Sequence, residues 1–403
     1  MKILWLCNLV LPELCTEFGF KKPFAGGWLS GMWNELKKDS RYELAICVPI
    51  KDASRAKDGS YEGYKYFSFQ WQGECDGQNE QITRFKEIIR NFNPDIIHIW
   101  GTEYIHTNSM VKACDDEKII EKALINIQGL LYKYTECYKL GLDSDYSDAT
   151  YESMIARQKY ELDSLRMAQY VSGRTEWDKE GALQINPNVK YYHCGEILRD
   201  SFYKNLRWDY TKCKKHTILI SQANYPIKGF HLAIKVLVKL KSEYPDLEVR
   251  VCGQSPVGKE DGYSEIISGL INSYEMNEVI KFVGPKSEQE MLVEYLNANV
   301  FLSPSVIENS SNSVCEALSL GVPIVSSCVG GMESIIENSC NGLLYNLRDE
   351  EKAVEEIRMI LENKDVAEHL SKNAIISSTR LNGKKECSDT LKSIYSSIYC
   401  DRK

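Results

Sequence analysis

The sequence predicts an α/β protein built from two Rossmann-like, doubly wound domains, and three observations carry this prediction. Short apolar runs alternate with longer amphipathic segments, which is typical of parallel strands connected by helices. The alternation stops at the polar, irregular segment NLRWDYTKCKKHT (205–217) and then restarts. The 403 residues, 43% of them hydrophobic, are enough for two domains that each bury a core.

The predicted strands form one group on each side of the irregular segment. The first group comprises Lys2–Cys7, Glu43–Pro49, Asp95–Trp100, Ala123–Gln128, Gln169–Gly173 and Lys190–Cys194. The second comprises Thr217–Ile220, Glu248–Cys252, Val279–Val283, Val300–Leu302, Pro323–Ser326 and Gly342–Tyr345. We therefore predict an amino-terminal domain over residues 1–205 and a carboxy-terminal domain over 206–383. We predict a last helical segment over 384–403, for which packing back on the first domain is one arrangement.

Composition and charge exclude several classes of protein. The formal net charge of −8 argues against a nucleic-acid-binding surface, where a basic face is expected. The 14 cysteines are scattered without a CxxC pair or a zinc-type spacing. The first apolar run is interrupted by Asn8 and soon followed by Glu13, unlike a secretion signal. No run approaches the roughly 18 apolar residues of a membrane span, so we expect a reduced, cytoplasmic protein.

The segment FLSPSVIENSSNSVCEALSL (301–320) places two glutamates, Glu308 and Glu316, around small polar residues at a strand-to-helix junction. One interpretation is a capping box, in which Ser313 caps the helix and Glu316 reaches back to it. The other is a ligand site, because a helix N-terminus suits a phosphate and a carboxylate suits hydroxyl groups. A diphosphate flanked by hydroxyl-bearing sugars is a nucleotide sugar. The capping box leaves unexplained Glu308 and the run Asn309, Ser310, Ser311 and Asn312.

These motifs resemble a known family. Glu308, seven residues, Glu316 and the later Gly330-Gly331 resemble the E-x7-E signature of the retaining family 4 glycosyltransferases, the glycosyl transferases group 1. Further resemblances follow in the family's order: the glycine loop at Gly26-Gly27, the Lys-Gly element at Lys228-Gly229, and the strand end Lys281-Phe282-Val283-Gly284. The resemblance implies the GT-B architecture, in which two Rossmann-like domains face each other across a cleft.

The resemblance also implies roles for individual residues. Glu308 would contact the transferred sugar, Glu316 the nucleotide ribose, and Lys228 the leaving diphosphate, whereas a solvated first-turn lysine is the alternative for Lys228. The other residues implied in donor binding are Gly26, Gly27, Phe282, Asn309, Ser310, Ser311, Asn312 and Ser313. The expected donor is a UDP-sugar, and the reaction would retain configuration without metal or cofactor, with cationic and amide groups stabilising the leaving diphosphate.

The sequence departs from the family at two positions. The segment SQANYPIKG (221–229) has Ala223 or its neighbours where the family usually has an arginine, and Gln128 stands where the family often has a histidine. Gln128 can orient a sugar or an acceptor hydroxyl but does not titrate. Arg174, at a strand end, could supply the missing charge, although a surface or salt-bridged arginine is the favoured alternative. Glu103, after another strand end, is a candidate on the acceptor side.

We therefore predict transfer of a hexosyl group to a carbohydrate or lipid-linked hydroxyl acceptor, in surface polysaccharide or glycolipid assembly. A lipid-linked acceptor would bring peripheral contact with the inner face of the membrane, for which FGFKKPF (18–24) is a candidate and a solvated loop the favoured alternative. The segment HCGEILRD (193–200) is a further candidate to reach the cleft. Two alternatives remain: a related epimerase or phosphorylase, and a catalytically inactive, nucleotide-sugar-binding subunit of a transferase complex.

Overall fold

The computed structural model describes residues 1–21, 27–259 and 261–401. These residues form two α/β units. The first unit comprises Met1–Lys133, Thr150–Ile197 and the described part of Lys384–Lys403. The second comprises Tyr134–Ala149 and Leu198–Gly383. Each unit is built around its own parallel sheet, as the fold class predicted from the sequence requires.

Eight strands of the described residues form the sheet of the first unit, in the order β3-β4-β2-β1-β5-β6-β7-β8. Their bounds are Lys2–Leu6 (β1), Glu43–Ile50 (β2), Gly59–Tyr61 (β3), Tyr64–Gln70 (β4), Ile96–Trp100 (β5), Ala123–Asn126 (β6), Tyr170–Gly173 (β7) and Lys190–His193 (β8). All neighbours pair in parallel except β3 and β4. The strand order reverses direction between β1 and β5, and ligands of doubly wound sheets bind beyond the strand ends at such a point.

Helices connect and cover this sheet. Those before residue 198 are Gly27–Lys37 (α1), Gln78–Phe92 (α2), Ile105–Asp116 (α3), Leu131–Cys137 (α4), Ala149–Met167 (α5) and Glu176–Ile185 (α6). The strand IIHIW of β5 is buried along its whole length, which reflects a parallel sheet covered on both faces. This burial explains why central strands such as β1 and β5 read as largely apolar runs.

In the second unit, six strands of the described residues pair in parallel in the order β11-β10-β9-β12-β13-β14. Their bounds are Thr217–Ile220 (β9), Glu248–Cys252 (β10), Ile280–Gly284 (β11), Val300–Ser303 (β12), Ile324–Ser327 (β13) and Leu343–Tyr345 (β14). The helices are Phe230–Glu243 (α7), Gly262–Ser273 (α8), Glu288–Asn297 (α9), Asn312–Leu320 (α10), Glu350–Glu362 (α11) and Lys364–Asn382 (α12). Helix Lys384–Cys400 (α13) follows them and belongs to the first unit. Every strand predicted from the sequence overlaps an observed one.

The hairpin of β3 and β4 was missed by the sequence analysis. Its turn is Glu62-Gly63, and both residues have positive φ, at 45° and 86°. Two-residue turns of this kind match the twist of paired strands and favour glycine. The alternating segment YKYFSFQ (64–70) was the available signal in the sequence.

The observed division of the chain differs from the predicted ranges at two places. Residues 134–149 belong to the second unit, where Leu142 and Tyr146 pack against the core and His231 Nε2 lies 2.9 Å from the Leu140 carbonyl oxygen. The chain also enters the second unit at Leu198 rather than at 206. These segments are mostly polar, and only a few of their apolar side chains pack against the core of the second unit. Their local sequence therefore does not indicate which unit they join.

Candidate functional site

The predicted glycine loop is only partly described. Gly26 lies outside the described residues, and Gly27 begins helix α1. Residues 22–24 of the candidate membrane segment also lie outside them. In the described parts of the chain, no helix is long and apolar enough to cross a membrane.

The turn that carries Lys228 is fixed by backbone contacts. A short 3-10 helix, Pro226–Lys228, ends at Gly229, whose φ of 65° lies in the left-handed region. A Cβ atom at Gly229 would lie 1.9 Å from the carbonyl oxygen of Pro304, so the turn needs glycine. The amide of Val306 donates to the Ile227 carbonyl at 2.8 Å. The Lys-Gly element is therefore packed against the loop that follows β12.

Glu308 lies in the same loop, and two glycines determine its backbone position. The amide of Gly331 donates to the Glu308 carbonyl at 2.9 Å, and a Cβ atom at Gly330 would lie 2.0 Å from that oxygen. The Glu308 side chain is buried, and its Oε1 accepts from Lys228 Nζ at 2.6 Å and Ser305 Oγ at 2.8 Å. The structure thus brings Lys228 and Glu308, which are 80 positions apart in the sequence, into direct contact.

The charge of Lys228 is maintained by its neighbours. Burial lowers its pKa, but Glu308 and Tyr225 raise it more strongly, so the net pKa lies above the ordinary lysine value. The ammonium group lies 5.8 Å from the ring centroid of Tyr225. A half-buried ammonium next to a carboxylate can bind a phosphate through the former and sugar hydroxyls through the latter.

Helix α10 contradicts the capping-box interpretation of Ser313. The helix starts at Asn312 with Ser311 as its N-cap, and no side-chain cap bond is made. Ser313 lies inside the first turn, where its Oγ is 3.0 Å from Ser311 Oγ. Glu316 therefore lies too far along the helix to complete a capping box.

The polar run before this helix differs in exposure along its length. Asn309 and Ser311 are buried, Ser310 and Ser313 are half-buried, and Asn312 is exposed. First-turn N–H groups have no partner within a helix and carry partial positive charge. The run therefore precedes a helix end that suits an anion.

Glu316 makes an ion pair that the sequence analysis missed. Its Oε1 accepts from Arg199 Nε at 2.8 Å and lies 2.7 Å from Arg199 Nη2. Its Oε2 lies 3.3 Å from the hydroxyl of Tyr295. Burial raises the pKa of Glu316 above its ordinary value, and Arg199 opposes that rise. Arg199 lies in HCGEILRD, but nothing in that segment indicates which carboxylate it would meet.

Phe282 and Ala223 complete the part of the second unit predicted to bind the donor. Phe282 lies in edge strand β11, half-buried, with its ring 5.9 Å from that of Phe230, the residue after Gly229. Ala223 is fully buried in the core of the unit. The position where the family usually has an arginine therefore carries no cation.

Gln128 and Arg174 lie together in the first unit, beyond the ends of β6 and β7. Gln128 Nε2 donates to Asn126 Oδ1 and, at 2.6 Å, to Glu196 Oε1. Arg174 Nη1 lies 2.7 Å from Glu196 Oε2, and Nη2 donates to the Gln128 carbonyl at 3.2 Å. These contacts match the salt-bridged alternative for Arg174. They also hold the Gln128 amide between two acceptors.

Glu103 follows β5 and lies where the strand order reverses. Its Oε2 is buried and has no hydrogen-bond partner among the described residues. A Cβ atom at Gly101 would lie 2.5 Å from this oxygen and 2.4 Å from Asn8 Nδ2, so both groups converge over a glycine. His106 Nε2 lies 2.9 Å from Asn8 Oδ1. Burial raises the pKa of Glu103 to about 7, against the opposing charge of Arg157.

Comparison of the whole fold with solved structures shows the GT-B fold. A sucrose-phosphate synthase from Thermosynechococcus elongatus aligns over 100% of both chains, with a TM-score of 0.75 and 16% identity. The Anabaena protein HepE, solved with UDP and glucose, aligns over 98% of this chain and 100% of that chain, with a TM-score of 0.70 and 14% identity. At these identities the likeness establishes the fold alone.

Comparison of the sequence finds a family match within the second unit. Residues 203–376 match the family model described as glycosyl transferases group 1, which confirms the predicted resemblance to that group over the matched segment. A D-inositol 3-phosphate glycosyltransferase from Corynebacterium urealyticum is 26% identical over 141 residues, 34% of this chain and 33% of the relative. A putative colanic acid biosynthesis glycosyltransferase, WcaL, from Salmonella typhimurium is 28% identical over 128 residues, 30% of each chain. The chain therefore spans about a third of the length of these curated relatives.

Proposed function

We propose that this protein is a retaining glycosyltransferase that moves a sugar from a nucleotide sugar to a hydroxyl acceptor. The observation that carries the proposal is the contact of Lys228 with Glu308 beside a helix N-terminus, inside the segment that matches glycosyl transferases group 1. A leaving nucleoside diphosphate needs positive charge, and the sugar needs hydrogen-bond acceptors for its hydroxyls. The pair supplies both in one place.

In the proposed reaction, the bond between the sugar C1 and the diphosphate oxygen breaks while a bond from C1 to the acceptor oxygen forms on the same face. Lys228 and the first turn of α10 stabilise the charge that develops on the diphosphate. Glu308 binds hydroxyls of the transferred sugar and Glu316 those of the ribose. The acceptor's proton passes to a departing phosphate oxygen, so no protein base is needed. Because protein groups supply the positive charge, the reaction would proceed without a metal ion.

Gln128 would position a sugar or acceptor hydroxyl. Its amide nitrogen is engaged by Asn126 and Glu196, which holds the side chain in one orientation. Such a fixed amide contributes through geometry rather than proton transfer.

We propose a UDP-sugar as donor because the Anabaena neighbour was solved with UDP and glucose. A carbohydrate or lipid-linked acceptor in polysaccharide or glycolipid assembly is supported by the names of relatives such as the colanic acid protein. Peripheral contact with the inner face of a membrane would follow from a lipid-linked acceptor.

A two-stage experiment tests the proposal. A panel of nucleotide sugars is first screened by thermal shift, since a ligand at one hundred times its Kd stabilises the folded state by about 2.7 kcal/mol. The donor that binds is then incubated with candidate acceptors, with and without excess chelator, and nucleoside diphosphate release is measured. Acceptor-dependent release and a product of retained configuration, undiminished by chelator, support the proposal.

The buried Ala223 and the glutamine at 128 favour one second candidate, a nucleotide-sugar-binding subunit without turnover. Donor binding with no release under any acceptor, in the parent and in a Gln128→His variant alike, would support that subunit. A silent parent that is awakened by Gln128→His would show that the histidine common in the family is needed for activity.

A further inference from the structure

Arg199 forms the closest charged contact of Glu316, and it comes from the segment that leads into the second unit. We propose that Arg199 is a positioning residue that holds the Glu316 carboxylate, ionised and in one rotamer, for the ribose hydroxyls of a nucleoside diphosphate. This inference rests on the proposed function. It assigns to Arg199 a specificity role that acts through Glu316 rather than on the substrate directly.

The hydrogen bonds leave acceptor capacity on one oxygen of Glu316. Two nitrogens of the Arg199 guanidinium, Nε and Nη2, approach the same oxygen, Oε1. Oε2 faces the hydroxyl of Tyr295, which has a single hydrogen and a second acceptor, the Ser313 carbonyl, at 3.0 Å against 3.3 Å for Oε2. The shorter contact takes the larger share of that hydrogen. A carboxylate has about four acceptor sites, so Oε2 retains capacity for ribose hydroxyls.

Arg199 is itself held in place by its own segment. It is the residue before a short 3-10 helix, Asp200–Tyr203, and its guanidinium carbon lies 5.0 Å from the ring centroid of Phe202. The amide of Ser201 donates to Glu288 Oε1 at 2.7 Å, which fastens the segment to helix α9. Because the Arg199 side chain already contacts Phe202 and its backbone segment is fastened to α9, it loses little conformational entropy when it orients the carboxylate.

The charges around Glu316 explain why an arginine is needed there. Burial and the nearby Glu288 of α9 both favour the protonated carboxyl, whereas Arg199 and the Tyr295 hydroxyl favour the ionised one. Arg199 is the positive group among these. Without it, the carboxyl would take up a proton at a higher pH, and a protonated carboxyl accepts hydrogen bonds from ribose less strongly.

The test compares the binding of UDP and 2′,3′-dideoxy-UDP to the full chain across pH by calorimetry. In the parent, loss of both ribose hydroxyls is expected to weaken binding about tenfold or more. UDP affinity should fall as pH decreases through the pKa of Glu316. In Arg199→Gln, discrimination between the two ligands should largely vanish near neutral pH, and the acid midpoint should move up by about one unit or more. Arg199→Lys, which keeps the charge, should fall between the two.

Two controls separate a positioning role from a structural one. Arg207→Gln alters another arginine of the same connecting segment, whose Nη1 donates to the Lys204 and Leu206 carbonyls, and should leave both readouts unchanged. In a Glu316→Gln background, adding Arg199→Gln should change UDP affinity by no more than about twofold, because the residue acts through Glu316.

The contrary outcomes are distinct. Unchanged discrimination and an unchanged acid midpoint in Arg199→Gln would overturn the inference while leaving the proposed function intact. Equal weakening of both ligands at every pH would also overturn it, because Arg199 would then act on the phosphates. If Arg199→Gln does not fold, as judged by its melting curve, the same criteria apply to Arg199→Lys. A parent that binds none of UDP, GDP and ADP would overturn the proposed function as well.

Discussion

At the scale of single residues, Lys228 is the group whose charge the proposed reaction uses most. We expect Lys228→Ala to lower kcat by about a hundredfold or more, since a positioned charge that meets the developing oxyanion is worth that much. Donor affinity should fall less, because stabilisation realised in the transition state acts on the chemical step. Steady-state rates and donor titrations measure the two effects separately.

Lys235→Ala is the matched control for this variant, because Lys235 lies on helix α7 and is largely exposed. It should leave both constants unchanged. A Lys228→Ala enzyme with an intact kcat and only a weakened donor affinity would make Lys228 a simple binding residue.

The Glu103 carboxyl is expected to make the stability of the protein depend on pH. Its pKa is raised by burial from 4.5 to about 7, so between these values the folded protein binds more protons than the unfolded chain. The free energy of unfolding therefore falls as pH rises through this range. We expect Glu103→Gln to be more stable than the parent at about pH 8, by on the order of 3 kcal/mol, and no more stable at about pH 4.

Urea unfolding across pH measures this difference. Glu87→Gln, at an exposed site of α2, serves as the control and should follow the parent. A pH-independent difference between Glu103→Gln and the parent would show that the carboxyl is not held in its protonated form by burial.

At the scale of elements, the turn between the 3-10 helix Pro226–Lys228 and α7 determines where the Lys228 side chain lies. Gly229 combines a positive φ with a close approach to the Pro304 carbonyl. Gly229→Ala should therefore cost more than the roughly 1–3 kcal/mol of backbone strain alone, and should weaken donor binding by moving Lys228. Chemical denaturation and donor titration check the two parts.

Gly258→Ala isolates the effect of the contact. Gly258 also has a positive φ, 87°, but a Cβ atom there would meet nothing within 4 Å. It should show the strain without the loss of donor affinity. Equal effects in the two variants would mean that the Pro304 contact does not position the turn.

At the scale of the whole molecule, the last helix returns to the first unit, where Tyr395 meets the first and fifth strands. The indole N–H of Trp5 donates to the Tyr395 hydroxyl at 2.9 Å, and that hydroxyl lies 2.7 Å from His98 Nδ1. Since an indole can only donate, the hydroxyl hydrogen is left for His98. Burial lowers the pKa of His98 to about 3, so the ring is neutral.

We expect Tyr395→Phe to lower the free energy of unfolding by about 1–3 kcal/mol, because it leaves buried polar groups of Trp5 and His98 without their partner. Urea unfolding followed by tryptophan fluorescence measures this loss. Tyr274→Phe removes an exposed hydroxyl and should change little. Full stability in Tyr395→Phe would mean that the hydrogen bonds of the Tyr395 hydroxyl contribute nothing to the docking of α13.

The sequence by itself determined the class of fold and the order of its motifs. Strands such as Lys2–Leu6 and Ile96–Trp100 were predictable because a strand that is buried on both faces of a parallel sheet requires a short run of apolar residues. The family resemblance implied that Lys228 and Glu308 both bind the donor, and both motifs follow strands whose carboxyl ends share one edge of a sheet. Their direct contact was found only in the structure.

Only the tertiary structure decided which partners the candidate residues have. Arg199 and Glu316 lie 117 positions apart, and neither sequence segment contains a pattern that predicts their ion pair. Ser313 and Glu316 have the spacing of a capping box, yet the helix starts two residues too early for it. The assignment of residues 134–149 to the second unit likewise depends on a distant core. Local sequence specifies helices and strands through the periodicity of their side chains. Contacts between residues that are distant in the sequence depend on how those helices and strands pack together.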